Sequence, residues 1–170
     1  MSNFLKQDLE QALQDMEMMA KALGIQPFEI YLLGGSGCIL AGYFDRATRD
    51  FDFMDLDYDA KLGRVFKLLE PYDMIDPQLA TIPYTYKNRA MRLKQFEYLR
   101  IYVMSREDII ISKMARLDER DINDITALLQ AADIGLIFKL AGEVEESDLL
   151  PKAKAAFIKN FSRCMEENNV

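Results

Sequence analysis

Gly34-Gly35-Ser36 and, after a short polar loop, Asp50 and Asp52 are the residues of this chain whose types and spacing could do chemistry. The apolar run Ile30-Tyr31-Leu32-Leu33 reads as a buried strand, and the glycine pair follows where a strand hands over to a helix. Small residues at such a junction let backbone N–H groups approach an anion, and the helix N-terminus adds favourable partial charge. Arg49-Asp50-Phe51-Asp52-Phe53 then alternates polar and apolar residues. In a strand, residues two apart share a face, so Asp50 and Asp52 project together while Phe51 and Phe53 point to a core. Neighbouring carboxylates repel unless a proton or a divalent cation lies between them. A carboxylate pair beside a phosphate-sized turn suits Mg2+ (or Mn2+) bridging to a nucleotide, which is the chemistry of phosphoryl transfer.

The flanking sequence supplies elements to hold these residues. Leu5, Leu9, Ala12, Leu13, Met16, Ala20 and Leu23 recur at helical spacing and predict an amphipathic helix over Phe4 to Leu23, closed by Gly24. A strand follows from Phe28 to Leu33, then a short helix from Ser36 to Tyr43, a polar turn from Asp45 to Thr48 and the Asp-bearing strand. Lys61 to Leu69 reads as helix, and Asp73 to Asn88, with Pro77 and Pro83, as an irregular connection. Strands are expected at Ala90 to Lys94 and Tyr98 to Met104. Ser105 with Asp108 resembles a capping box opening a helix through Ile109, Ile110, Met114 and Leu117. Asp121 to Ala132 continues as helix, and another begins at Pro151 after a polar break near Ser147. The expected class is α+β: a mixed sheet flanked by helices in residues 1–104, with a helical region in 105–170 packed on it as one structural domain.

Composition narrows the chemistry further. Half of the 170 residues are hydrophobic, enough to bury a core, and no run of about 18 apolar residues exists to span a bilayer. Met1 to Glu10 is mixed polar and acidic instead of resembling a signal sequence, so a cytoplasmic location is expected. Cys38 and Cys164 stand in no metal-binding pattern. The chain has no histidine, which excludes Ser-His-Asp hydrolysis, HExxH metalloproteolysis and zinc-dependent deamination. A formal net charge of −7 argues against broad attraction to nucleic acid and leaves room for a local basic patch from Arg89, Arg92, Lys94 and Arg100.

Several motifs fail on inspection. Gly37 and Gly42 have P-loop spacing, but Tyr43 and Phe44 stand where Lys and Ser/Thr are required. Leu40 replaces the third glycine of a dinucleotide fingerprint. Counted from Asp55, an EF-hand loop would need Gly at Ala60 and Glu at Phe66. Asp55, Asp57 and Asp59 are therefore read as solvated residues at or beyond the strand end. Lys113 falls on the stripe of its helix that otherwise faces the core, either snorkelling or entering a cleft as a phosphate-binding charge. Asp121 and Asp124 share a helix face from which a carboxylate could pair with it.

Together, Gly34-Gly35-Ser36, the segment Arg46-Ala47-Thr48-Arg49-Asp50-Phe51-Asp52, the segment from Ser105 to Arg116, and Arg120-Asp121-Ile122-Asn123-Asp124-Ile125 resemble the minimal nucleotidyltransferase superfamily. The branch they are most similar to is that of bacterial proteins of the DUF6036 type, related to AbiEii-like toxins of toxin–antitoxin systems. The resemblance spans roughly residues 28 to 130. It implies that Gly34, Gly35 and Ser36 hold a triphosphate, with Arg46 and Thr48 supporting the turn or touching phosphate, and that Asp50 and Asp52 bind one or two Mg2+ ions. Lys113 and Asp121 match a lysine and a later aspartate needed for activity in the toxin relatives. Active members usually carry a third carboxylate on a neighbouring strand. The candidates here are Glu97, beside the Tyr98 to Met104 strand, and Asp76, in the irregular connection.

The function these readings imply is Mg-dependent transfer of a nucleoside monophosphate from a nucleoside triphosphate to an acceptor hydroxyl. The acceptor could be a nucleic-acid end such as tRNA, a protein or a small molecule, within a toxin–antitoxin or defence pair and in contact with its cognate partner. The alternative is a catalytically inactive nucleotide-binding or protein-interaction module on the same fold. A homodimer is compatible with the aromatic content.

Overall fold

The computed structural model describes residues 3–170. The chain divides into two units: one runs to Ile75 and resumes at Ala90–Met104, and the other comprises Asp76–Arg89 and Ser105–Val170. The stretch from Asp76 to Arg89 groups with the helical residues that follow Met104.

The first unit is built on a mixed sheet. Its helices are α1 (Lys6–Ala22), α2 (Gly34–Leu40) and α3 (Gly63–Phe66), and its strands are β1 (Glu29–Leu33), β2 (Phe51–Met54), β3 (Tyr72–Ile75), β4 (Met91–Arg92) and β5 (Arg100–Val103). The order across the sheet is β3-β2-β1-β5-β4. β1 runs parallel to β5 and antiparallel to β2, β2 is parallel to β3, and β4 is antiparallel to β5. One face is apolar because alternate strand residues turn that way: Ile30 and Leu32, Phe51 and Phe53, Ile101 and Val103 are all fully buried. Leu9, Leu13, Met16 and Ala20 of α1, all at 0% exposure, join the same cluster. Rings of Phe28, Phe53, Tyr58, Phe66 and Tyr72 meet edge-on or tilted within it. The Glu17 carboxylate of α1 accepts hydrogen bonds of 2.8 Å from the backbone N–H groups of Tyr98 and Leu99, fixing the turn that leads into β5.

Two expectations in this unit need correction. The helix expected over Lys61 to Leu69 is broken into a 3-10 turn at Ala60–Leu62, α3, and a second 3-10 turn at Lys67–Leu69. Gly63 interrupts the helical pattern there, and burial of Leu62, Val65, Phe66 and Leu69 governs the path instead. β3 lies where an irregular connection was expected to begin, and it forms by pairing with β2.

In the second unit α4 (Arg106–Lys113), α5 (Glu119–Leu129), α6 (Ile134–Glu146) and α7 (Pro151–Glu167) pack through Ile109, Ile110, Ile111, Ile125, Leu128, Ile137, Leu140, Val144 and Phe157. Ser105 caps α4, its Oγ accepting from the N–H of Asp108 at 3.1 Å, but the Asp108 carboxylate accepts from that hydroxyl at 2.7 Å in place of the backbone N–H that a capping box would use. Pro151 occupies the first turn of α7. No helix of the described residues is long and apolar enough to cross a membrane.

Candidate functional site

At the C-terminal end of β1 the chain turns into α2 through Gly34, which has φ of +60°. A side chain there is excluded twice. The left-handed conformation penalises a Cβ, and a Cβ would overlap Oδ2 of Asp52 and lie 2.8 Å from its Cγ. The carboxylate of Asp52 thus rests directly against the Gly34 backbone, as β-register requires, since Leu33 and Asp52 are paired across β1 and β2. The next residue is equally constrained: a Cβ on Gly35 would sit 2.7 Å from Oγ1 of Thr48. Gly34 and Gly35 open α2, whose first-turn N–H groups lack intrahelical acceptors.

Ser36 departs from its expected role as a phosphate contact. Its side chain is fully buried, and its hydroxyl donates to the Leu33 carbonyl at 3.3 Å while accepting from the backbone N–H of Asp52 at 3.1 Å. The serine ties the end of β1 to β2, so it positions Asp52 instead of facing a ligand. Thr48 also works through its surroundings. It bridges Phe4 by backbone hydrogen bonds of 2.7 and 2.9 Å, and its hydroxyl reaches the Asp50 carbonyl at 3.5 Å. Phe4 packs its ring 5.9 Å from that of Phe51, so the N-terminal segment fastens the loop that enters β2. The Arg46 guanidinium lies 4.7 Å over the Phe44 ring, beside a depression of about 370 Å³ lined by Leu5, Lys6, Gln7, Glu10 and Ile39. This favours the turn-supporting half of the expectation for Arg46.

The alternation read from sequence is present, with Phe51 and Phe53 buried and Asp52 half-buried, but β2 begins at Phe51 and Asp50 lies in the bend before it. Asp55, Asp57 and Asp59 follow the end of β2 and serve local turns: Asp55 accepts from the N–H of Asp57, and Asp59 from that of Lys61. Glu97 does not join the Asp pair. It is exposed and precedes β5, which runs parallel to β1 with Glu29 opposite Arg100, so it stands at the opposite end of the sheet from Asp52. The carboxylate that does neighbour Asp52 is Asp73 of β3, its register partner in a parallel pair. Paired residues of adjacent strands share a face at about 5 Å between Cβ atoms. Nothing in the local sequence marks Asp73; only strand pairing brings it there.

The donor chemistry fits Mg2+. Among the described residues no group of three or more carboxylate or thiol side chains is close enough to enclose a metal by itself. Mg2+ ordinarily keeps several waters and is held by one or two carboxylates plus substrate phosphates, and oxygen donors such as Asp52, Asp73 and Asp50 suit it.

The other residues expected to act lie within the helical unit. Lys113 Nζ is 3.0 Å from Asp121 Oδ1 and 3.0 Å from Asp124 Oδ2. Arg116 donates to both oxygens of Asp121, at 2.8 and 2.9 Å, and its Nε is 3.1 Å from Asp118. The Asp121 side chain is fully buried. Burial pushes its carboxyl up, but hydrogen bonds from Arg116 and Lys113, and their charge, outweigh this and hold it below the ordinary 3.8. Burial likewise lowers Lys113, and the charges of Asp124 and Asp121 with their hydrogen bonds reverse the sign, leaving it above 10.5.

Three of the four basic residues that composition offered as one patch, Arg89, Arg92 and Arg100, are committed locally. Arg89 makes a two-pronged ion pair with the buried Asp108 at 2.7 and 2.9 Å and donates to Thr85, whose hydroxyl donates to Glu143. Arg100 faces Glu29 at 3.5 Å, and Arg92 donates to the carbonyls of Phe96 and Leu99.

Comparison with curated proteins and with solved structures gave no match. A strand-to-helix glycine turn pressed against a β2 carboxylate, on a mixed sheet flanked by helices, accords with a family model that matches residues 7–167: the chain belongs to the DUF6036 family, described as a nucleotidyltransferase of unknown function.

Proposed function

We propose that this protein is a divalent-metal-dependent nucleotidyltransferase that moves a nucleoside monophosphate from a nucleoside triphosphate to an acceptor hydroxyl. The observation that carries the reading is the pairing of Asp52 with Asp73 on one face of the sheet, with Asp52 set against the glycine turn. Like charges in directly opposed cross-strand positions destabilise a sheet. Their placement beside an N–H-bearing turn is a reason to expect a cation and an anionic substrate to complete the site. Asp52, with Asp73 or Asp50 beside it, would hold Mg2+ or Mn2+ together with water and substrate phosphate; when bound, the ion would lower the acceptor hydroxyl's pKa and offset charge on the leaving pyrophosphate. Backbone N–H groups of Gly34 and Gly35 receive phosphate oxygens, which only residues without a Cβ permit at these two positions. Ser36 fixes the height of Asp52, and Thr48 fixes the loop carrying Asp50.

The acceptor belongs to the same proposal: a nucleic-acid 3′ end such as that of tRNA, or a protein hydroxyl, within a toxin–antitoxin or defence pair. Catalytic roles for Lys113 and Asp121 are a further part of it, resting on the matched motif, and the ion-pair network around them gives each a structural role to be separated from it. The test is label transfer from each of the four nucleoside triphosphates to total tRNA or to protein with Mg2+ or Mn2+. The wild type is expected to transfer label, and Asp52→Ala to lose at least a hundredfold of the rate, the scale of a charge-stabilising group removed from a transition state. Undiminished transfer by folded Asp52→Ala would refute the reading.

A further inference from the structure

The cations expected to form a basic patch in the sheet unit are held by neighbouring groups, but α7 carries a separate set. Between Pro151 and Met165 it has Lys152, Lys154, Lys159 and Arg163 and no acidic residue, in a chain of formal net charge −7. Lys152 and Lys159 are seven residues apart and Arg163 is four further on, so these three share one face of the helix. All three are exposed, whereas Phe157, Phe161 and Cys164 on the opposite face are buried. The helical rise sets them about 10 Å and about 6 Å apart along the axis. Ala155, Ala156 and Ser162 border the row, so no bulky side chain stands between the cations. The Lys152 and Lys159 ammonium groups have no partner among the described residues, while Lys154 gives its own to the Ser147 carbonyl at 2.6 Å. Arg163 meets Glu167 at 3.2 Å, with both side chains 52% exposed. Such a surface pair contributes little and yields readily to a phosphate.

This arrangement runs against the charge preferences of a helix. A cation in the first turn, where Lys152 stands, opposes the helix dipole, and like charges four residues apart, as at Lys159 and Arg163, repel. By contrast α1 carries Asp8 in its first turn, α4 Glu107 and Asp108, and α5 Glu119 and Asp121. The row of cations on α7 therefore does little for the fold and suits an anionic partner. We infer that the outer face of α7 is a docking surface for nucleic acid, with Lys152, Lys159 and Arg163 set against backbone phosphates. Each strand of a duplex carries a charge about every 3.4 Å along its axis, which offers a phosphate near each of the three cations. An anionic bilayer is the poorer fit, because an interfacial helix inserts its apolar face. That face of α7 is spent on packing inside its unit, and of its large apolar residues Ile158 alone is exposed, at 41%. Contacts of this kind position a nucleic acid without reading its sequence. Taken with the nucleotidyl-transfer reading, on which this last step rests, the docked nucleic acid is the acceptor.

The experiment measures binding of total tRNA across a salt series to the full chain as wild type, as the double variant Lys152→Glu with Lys159→Glu, and as Lys152→Arg with Lys159→Arg. A control, Lys21→Glu with Lys67→Glu, makes the same change in net charge at exposed lysines of the sheet unit. The α7 reversal is expected to weaken binding by roughly tenfold or more and to flatten the plot of log affinity against log salt by about 1.5, close to 0.7–0.9 for each lost contact. The arginine pair should bind within about twofold of the wild type, and the control within about threefold. Folding is not at risk in the reversal, since glutamate suits a first turn and Glu at 159 would pair with Arg163. Equal weakening by the control overturns the docking face, because net charge alone then explains the binding. Wild-type binding to vesicles of phosphatidylserine and phosphatidylcholine, lost in the α7 reversal while tRNA is not bound, also overturns it and assigns the face to a membrane. Nucleoside triphosphate binding with Mg2+, measured in parallel, separates the two readings. A wild type that binds nucleotide but no tRNA overturns the docking face and leaves the transfer reading standing, whereas one that binds tRNA through α7 but no nucleotide supports the face and refutes the transfer reading.

Discussion

The two units treat carboxylates in opposite ways. In the helical unit Asp108 and Asp121 are fully buried, and each oxygen pair is met by cations: Arg89 for Asp108, Lys113 and Arg116 for Asp121. In the sheet unit Asp52 and Asp73 are placed side by side by strand register, and the Gly34 backbone and the Ser36 hydroxyl are among the groups that hold Asp52. A buried carboxylate with a built-in cation contributes to the fold and costs most when its partner is removed. Two carboxylates set side by side by strand register repel each other, and a bound cation would offset that repulsion. Under the proposed function, the difference separates charge that maintains structure from charge held for the metal and nucleotide, though both appear in the sequence simply as aspartate.

That contrast is broken most directly at Asp121. Asp121→Asn should destabilise the protein by about 3 kcal/mol in denaturant unfolding, the low end for removing one member of a buried pair, because Lys113 keeps Asp124 and Arg116 keeps Asp118. Unchanged stability with lost transfer would instead make Asp121 a group of the reaction.

The same network sets a dependence on pH. A carboxyl held below 3.8 contributes stability that is present above that value and is lost as pH falls through its lowered pKa. An ammonium held above 10.5 contributes stability that is present below that value and is lost as pH rises through its raised pKa. Amide exchange in α4 and α5 should therefore accelerate in acid below about pH 4 in the wild type, and Asp121→Asn should flatten that acid limb. An acid limb as steep in the variant would show that Asp121 is not its source.

A smaller effect is expected at Ser36. Ser36→Ala leaves the N–H of Asp52 without its acceptor and should cost about 1–2 kcal/mol. It should lower transfer by letting Asp52 shift, with the loss in turnover exceeding that in nucleotide affinity. If affinity alone fell, the hydroxyl would be a ligand contact and the positioning role would be wrong.

Much of this was legible from local sequence. The glycine turn, the alternation through Phe51 to Phe53, the α1 stripe and the Ser105 cap all depend on residues within a few positions of one another, and they appear where they were expected. What escaped depends on contacts distant in sequence. β3 has no alternating pattern of its own and two of its four residues are exposed, so it exists through pairing with β2, and Asp73 acquires meaning only through that register. Glu97 looked suitable for proximity to a strand, but the parallel course of β1 and β5 sends it to the other end of the sheet. The burial of Ser36 was equally hidden, since a serine after two glycines reads as a ligand contact until the neighbouring strand is seen to claim its hydroxyl. Arg89 and Asp108 are separated by β4 and β5 in the chain, and no spacing rule links them.

The contrast between the two sets of carboxylates is tested most directly by measuring the unfolding stability of wild type, Asp52→Asn and Asp121→Asn, each with and without Mg2+ and nucleoside triphosphates. Without ligand, Asp52→Asn should match the wild type within about 1 kcal/mol or exceed it, because a cross-strand repulsion is relieved, whereas Asp121→Asn should be weaker. With metal and nucleotide, the wild type and Asp121→Asn should both gain stability in proportion to ligand occupancy, and Asp52→Asn should gain little. A ligand-free Asp52→Asn that unfolds as readily as Asp121→Asn, or one stabilised by metal and nucleotide as fully as the wild type, would contradict the proposal that Asp52 holds the ligand while the fold depends on Asp121.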